Sequence, residues 1–501
     1  MGNILPLAAP VGAAHAASLS DICNDAYIKA ALPADGTFQG IYMGIYMVSS
    51  PVSTTIHSNV SISSSNFNPA NFKNRFLTTG GEAYEINESS STSGSLPSGL
   101  MYGAVAGLTN SGFNGQSFDD IFLLANGTMM EIGRQLARNV YNTGNDKVYT
   151  CYQSCSDGGR EGWSQAQRYG YDYDGIIVGA PAFRFAHQQI NHLMPNVVEQ
   201  TMDYYPPPCE LKLIANATIA ACDPLDGRAD GVFARSDLCK LHFNHTSLIG
   251  APYYCAASSG GSSLGLGFSK RQSISSTPEQ SGTVTKEAVE LGLSIDGNGG
   301  EFVAKFVNLQ EADTLSTLDN VTYDTIRGWM QMGWTMYEDT LVTHNPDLNV
   351  LQQSGGRILH FHGEQDPSVP TASSVHYYEA VRKIMFPNES LNTSAAALGE
   401  FYRLYLVHGM AHCGTNSEQP NGPFPQTNMA VMIDWVENGV IPVTVNATVL
   451  QGDNEGEHQQ ICAWPLRPLW SNNGTTMDCI FDQASNDAWI YDFDAYKLPL
   501  Y

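Results

Sequence analysis

"KVYTCYQSCSDGGREGWSQAQRYGYDYDGIIVGAP", Lys147 to Pro181, decides the fold class. "KVYTCYQS" has the β-branched and aromatic content of a strand, "EGWSQAQRYG" the spacing of a helix, and "GIIVGAP" is a short apolar run of the kind found in buried strands. Strand, helix and strand with short connections make the unit that builds parallel sheets. Between the first strand and the helix stands Cys155-Ser156-Asp157-Gly158-Gly159. A serine on a tight strand-to-helix turn has its hydroxyl raised above the sheet, and the first amides of the following helix can donate to a developing oxyanion. The usual G-x-S-x-G spacing is half met, because Ser154 stands where the first glycine is expected. On this motif alone, a plain Ser/Gly turn stays open.

A second block of the same kind begins at "GGRILHFHGEQD", with Arg357 to His362 as its strand, a helix in "SSVHYYEAVRKIM" and a further strand in "FYRLYLVHGMAHCG". Catalytic groups of open parallel sheets collect beyond the carboxyl ends of strands. A nucleophilic serine needs a base, and the base needs an acid to hold its tautomer. In chain order Ser, Asp, His, the candidates are Ser156, Asp366 and His412, with Glu364 and His408 as the nearest rivals. Cys155 precedes the serine and Cys413 follows His412. A bridge between them would hold nucleophile and base together, and closing so long a loop contributes on the order of 5 kcal/mol in the chain-entropy model.

The 501 residues suffice for two or three domains and a sizeable core. Hydrophobic residues make up 43% and charged ones 15%, a globular balance. The formal charge of −25 repels phosphate backbones and anionic lipids, which argues against nucleic acid as a partner. No run approaches the ~20 apolar residues that span a bilayer, so an integral membrane protein is not expected. Residues 1–17 carry a short apolar stretch ending in Ala14-His15-Ala16, a cleavage-like site, and are read as a signal peptide. Ten Asn-x-Ser/Thr sequons begin at Asn59, Asn87, Asn126, Asn216, Asn244, Asn320, Asn388, Asn392, Asn446 and Asn473. The ten cysteines lack zinc-site spacing and fit a disulfide framework. Together these point to a secreted glycoprotein; nothing in the sequence speaks to its oligomeric state.

The combination CSDGG, HGEQD and GMAHC resembles the fungal tannase and feruloyl esterase family. Further segments, "DYYPPPCELK", "NATIAACDPLDGRADGV", "PYYCAA", "SSVHYYEAVR", "MIDWVENG" and "RPLW", are similar to its tannase branch. The resemblance implies an α/β-hydrolase core formed by residues 18–185 and 355–501, with a large inserted lid domain over 186–354. It implies a serine esterase acting on phenolic esters, galloyl esters of tannins first, with feruloyl esters second and a non-catalytic relative of the same fold third. Ser156 would attack the ester, His412 would carry its proton and Asp366 would orient His412. The Asp157 amide is the expected oxyanion donor, with Gly81 in "TTGGEAY" as the second.

The resemblance also implies a structural Ca2+ in the lid. Asp223, Asp226 and Asp230 crowd one turn, where carboxylates repel unless a cation lies among them. The carbonyls of Arg228 and Val232 would complete the set. Bridges are expected for Cys222 with Cys239, Cys209 with Cys255, and Cys462 with Cys479, which leaves Cys23 and Cys151 over. Lys270-Arg271, in a Gly/Ser-rich stretch, is a candidate processing site. The region Val48 to Met130 is shorter and richer in Ser and Asn than the resemblance implies, with its glycine run reduced to Gly80-Gly81.

Overall fold

The computed structural model of the chain describes residues 27, 30, 31, 71–84, 99, 101–107, 128–251, 254–255, 280–281 and 295–489. The expected signal peptide, Cys23, the Lys270-Arg271 pair and the sequons at Asn59, Asn87 and Asn126 lie outside them.

The frame is a parallel sheet whose described strands are β1 (Arg75–Thr79), β2 (Ala104–Gly107), β3 (Tyr149–Cys155), β4 (Gly175–Gly179), β5 (Arg357–Gly363) and β6 (Tyr402–Val407). They lie in the order β2-β1-β3-β4-β5-β6, every neighbouring pair parallel. The chain leaves β1 for the outer side, forms β2, and returns to form β3 on the other side of β1. That reversal opens a crevice at the carboxyl ends of β1 and β3, where parallel sheets hold their ligands. Gly80-Gly81 follows β1 and Ser156 follows β3, so both reach this crevice. The architecture is of the α/β-hydrolase type.

Strands of such a sheet are covered on both faces, which is why they read as apolar runs. Successive side chains alternate. Ile176, Val178 and Ile358 join Trp163, Tyr377 and Tyr402 in one core, while Ile177, Leu359 and Phe361 join Met432 and Trp435 in the other. The helices packed on the first face include α1 (Asp157–Arg168), whose Trp163 is fully buried, and α2 (Ala372–Met385), which brings Tyr377 and Tyr378.

Between β4 and β5 the chain makes a large excursion. Thr343 N–H donates to the Phe183 carbonyl at 2.8 Å and Arg184 bridges to Val342, so it departs and returns side by side. The excursion has its own core, in which Phe185, Ile190, Leu193, Val197, Phe302, Val303 and Ile326 pack. Val369, from the loop after β5, is buried in that same core and couples it to the carboxyl end of the sheet. A C-terminal hairpin, β7 (Leu466–Ser471) and β8 (Thr476–Phe481), carries Arg467 back under the loop after β5.

Candidate active site

Ser156 sits at φ 61°, ψ −124°, a backbone region that L-residues seldom occupy. The surroundings hold it there: its N–H donates to the Gly179 carbonyl at 3.0 Å and its own carbonyl accepts from Arg160 N–H at 3.1 Å. The departure from G-x-S-x-G has a steric account. A Cβ on Gly158 would lie 2.0 Å from Ser154 Oγ and 2.7 Å from the Gly81 carbonyl. The side chain at 154 occupies the space that the missing side chain at 158 leaves free.

The three candidate residues meet at the crevice. His412 Nε2 lies 2.8 Å from Ser156 Oγ, and His412 Nδ1 lies 2.7 Å from Asp366 Oδ2. Asp366 Oδ1 accepts the amides of Ser368 and Val369 at 2.8 and 2.9 Å. Burial alone would raise the proton affinity of Asp366, but the hydrogen bonds from His362 and His412 hold its carboxyl well below the usual range. Asp366 has no exposed side-chain surface, whereas His412 keeps 24%, as a base that must reach a substrate needs.

The rivals are otherwise engaged. His408 is 3% exposed and bonded to Gln459, and burial lowers its pKa to about 4. Glu364 is buried on Arg467 at 2.6 Å and on Ser236 Oγ at 2.6 Å. Arg467 also meets Asp237 at 3.0 Å, and Asp237 in turn pairs with Arg235. This buried charge network braces the loop that carries Asp366.

The cysteines flanking serine and histidine are joined: Cys155 and Cys413 form a disulfide, as do Cys222 with Cys239 and Cys462 with Cys479. Cys209 is disulfide-bonded, while the side chain of Cys255 is outside those described. Cys151 is a buried free thiol, pushed by burial up to about 12, and is therefore not paired with Cys23.

At the expected oxyanion site the Asp157 amide opens α1, where the first helical N–H groups lack an intrahelical acceptor. Its carboxylate faces away, bonded to Arg160 at 2.6 Å. The Gly81 amide is placed differently from a free donor: it points to Glu161 Oε2 at 3.3 Å, while the Gly81 carbonyl accepts from Gly158 N–H at 2.9 Å. Withdrawal from water and the nearby Asp157 push Glu161 up to about 8. Arg160, Glu161 and His362 were not singled out from the sequence. The i,i+3 pairing of Asp157 with Arg160 and the alternate His360 and His362 on one strand were the available signals.

In the turn at Asp223, the carboxylates spend themselves locally. Asp223 accepts from the Asp230 and Gly231 amides, Asp226 from the Arg228 amide, and Asp230 from the Val232 amide and from Arg228 Nε at 2.9 Å. Burial, with repulsion among the three, pushes Asp226 up to about 7 and Asp230 to about 6. The donors are hard oxygens of the type calcium takes, yet among the described residues no three His, Cys, Asp or Glu side chains converge as a metal set.

The family model described as "Tannase and feruloyl esterase" matches residues 47–296 and 276–485. A tannase of Aspergillus oryzae is 44% identical over 591 aligned positions, covering 99% of each chain; that length exceeds the 501 residues here, so the relative has segments this chain lacks. The solved tannin acyl hydrolase from Aspergillus niger superposes with a TM-score of 0.83 at 45% identity, covering 97% of this chain and 99% of its own. Feruloyl esterase B from Aspergillus oryzae, at 23% identity and a TM-score of 0.56 over 82% of this chain and 85% of its own, shares the fold. The chain belongs to the tannase and feruloyl esterase family, a family of carboxylic ester hydrolases.

Proposed function

We propose that this protein is a secreted serine esterase that hydrolyses the galloyl esters of tannins and simple gallates through an acyl-enzyme on Ser156. The observation that carries the reading is the hydrogen-bonded series Ser156 Oγ, His412 Nε2, His412 Nδ1 and Asp366 Oδ2 at the carboxyl edge of the sheet. His412 takes the Ser156 proton as Oγ attacks the ester carbonyl, then delivers it to the departing alcohol. Asp366, kept ionised by its donors, stabilises the imidazolium formed in between. Water, deprotonated by the same His412, releases the acid and restores Ser156. The Asp157 amide is the oxyanion donor.

Secretion is supported by the disulfides and by the sequons: Asn216, Asn244, Asn320, Asn388, Asn392, Asn446 and Asn473 are all exposed. The galloyl preference is supported by relatives named tannase and tannin acyl hydrolase at 44% and 45% identity. We further propose a structural Ca2+ at the Asp223 turn, for which the carboxylates of Asp223, Asp226 and Asp230 would exchange their present amide and Arg228 partners, with the carbonyls of Arg228 and Val232 completing the set. Bound there, it would neutralise carboxylates that otherwise repel one another.

The test is hydrolysis of propyl gallate against methyl ferulate by purified protein, with Ser156→Ala as control. Higher kcat/KM on propyl gallate, lost in the variant, is expected. Preference for methyl ferulate would make the protein a feruloyl esterase, and no hydrolysis of either would remove the esterase reading.

A further inference from the structure

A second histidine meets the carboxylate that orients His412. On β5 the alternation of side chains sends His360 and His362 to the same face, beneath the first turn of α2. Ser374 of that turn lies between the two rings, with Oγ 2.6 Å from His362 Nδ1 and 2.9 Å from His360 Nε2. The Tyr402 hydroxyl, from β6, is 2.9 Å from His360 Nδ1. All four residues have no exposed surface. A polar chain inside an aromatic core is costly unless every member is satisfied.

The far end of the chain reaches the catalytic loop. His362 Nε2 lies 3.0 Å from the Val369 carbonyl and 3.1 Å from Asp366 Oδ2. A carbonyl only accepts, so Nε2 carries a proton whatever the charge of the ring. That N–H is shared with Asp366 Oδ2, the oxygen that also receives His412 Nδ1 at 2.7 Å. With two amides on Oδ1, the carboxylate has four donors.

We propose that His362 is a positioning residue for ester hydrolysis, a role that rests on Ser156 being the nucleophile. The Val369 carbonyl keeps the proton on Nε2, and that N–H meets Asp366 Oδ2, where it fixes the carboxylate and draws on the charge that would otherwise stabilise the His412 imidazolium. Without that donor, Asp366 holds the proton of His412 more strongly and the base titrates higher. Other groups facing His412 stay constant in the comparison. They are Ser156, the Cys155–Cys413 disulfide, and His192, whose proton affinity burial lowers and which sits 3.8 Å from Asp296.

The experiment is the pH dependence of kcat/KM on propyl gallate for the wild type, His362→Leu, His362→Gln and Ser374→Ala, with a thermal melt of each. The acid limb of this profile reports the free enzyme's base. His362→Leu is expected to move it up by roughly 0.5–1 pH unit and to lower kcat about tenfold at unchanged KM, the scale of one charge-assisted hydrogen bond. His362→Gln retains an N–H donor and should stay near the wild-type limb. Ser374→Ala should also stay there, because Val369 still pins Nε2–H. A leucine variant that folds and loses rate with its acid limb unmoved would overturn the proposal, as would a glutamine variant that shifts with it.

Nitrogen-15 histidine spectra of the wild type supply a readout that needs no variant. Nε2 of His362 should be the protonated nitrogen throughout the acid limb, and an Nδ1–H tautomer with bare Nε2 would contradict the role. Full activity of Ser156→Ala would overturn the nucleophile itself, an outcome distinct from all of these.

Discussion

Ser156 and His412 are 256 residues apart in the chain, yet Ser156 Oγ and His412 Nε2 lie 2.8 Å apart. The residues next to them, Cys155 and Cys413, are covalently joined with Cα atoms 6.0 Å apart. The bridge therefore tethers the turn that carries Ser156 to the loop that carries His412. Replacing both cysteines by alanine should lower stability by up to ~5 kcal/mol and lower kcat on propyl gallate more than it raises KM. Urea denaturation and steady-state kinetics on the same preparation check this, and an unchanged kcat would show that the loops hold their alignment without the bridge.

Gly158 is required by its neighbours rather than by its own backbone. Gly158→Ala places a Cβ on Ser154 Oγ and on the Gly81 carbonyl, and should cost about 1–3 kcal/mol as overpacking does. Adding Ser154→Gly relieves the first contact, so the double variant should recover part of the lost stability and rate. Failure to recover any would mean that the Gly81 contact dominates.

Arg467 holds two buried carboxylates, Glu364 and Asp237. Arg467→Met leaves them without that partner and should destabilise by about 3–5 kcal/mol. Burial works to raise the pKa of Asp237, but Arg467 and Arg235 outweigh it and hold the group at about 2, below its ordinary 3.8. Because the folded value is depressed, the Asp237 contribution is present above pH ~4 and is lost as pH falls toward 2. Urea midpoints between pH 6 and 2 should fall in that window for the wild type, and fall less in the variant.

Chelation tests the Ca2+ proposed at the Asp223 turn. EGTA should lower Tm by at least ~2 °C, with recovery on adding Ca2+ but not Mg2+. Asp226→Asn should abolish the response. Identical melts with and without EGTA would leave the turn held by its own amides and Arg228.

The strand, turn and helix around Ser156 were legible because periodicity changes within a few residues, and the order of Ser156, Asp366 and His412 followed from strand ends. Glu364 and His408 could not be set aside from sequence, since what disqualifies them is distant: Arg467 and Ser236 for one, Gln459 for the other. Gly81 was expected to offer its amide, but Glu161, from the helix after Ser156, lies within reach of it. His362 looked like an ordinary strand residue; only the packing of α2 and the loop at Val369 brings its N–H to Asp366.

Ester hydrolysis through Ser156 is tested by kcat/KM for propyl gallate in Ser156→Ala against the wild type, with matching melts to show that both are folded. A fall of at least ~10³-fold is expected, the loss that follows when a nucleophile that works as a unit with its base is removed. A folded Ser156→Ala protein that retains activity within about tenfold of the wild type would contradict it.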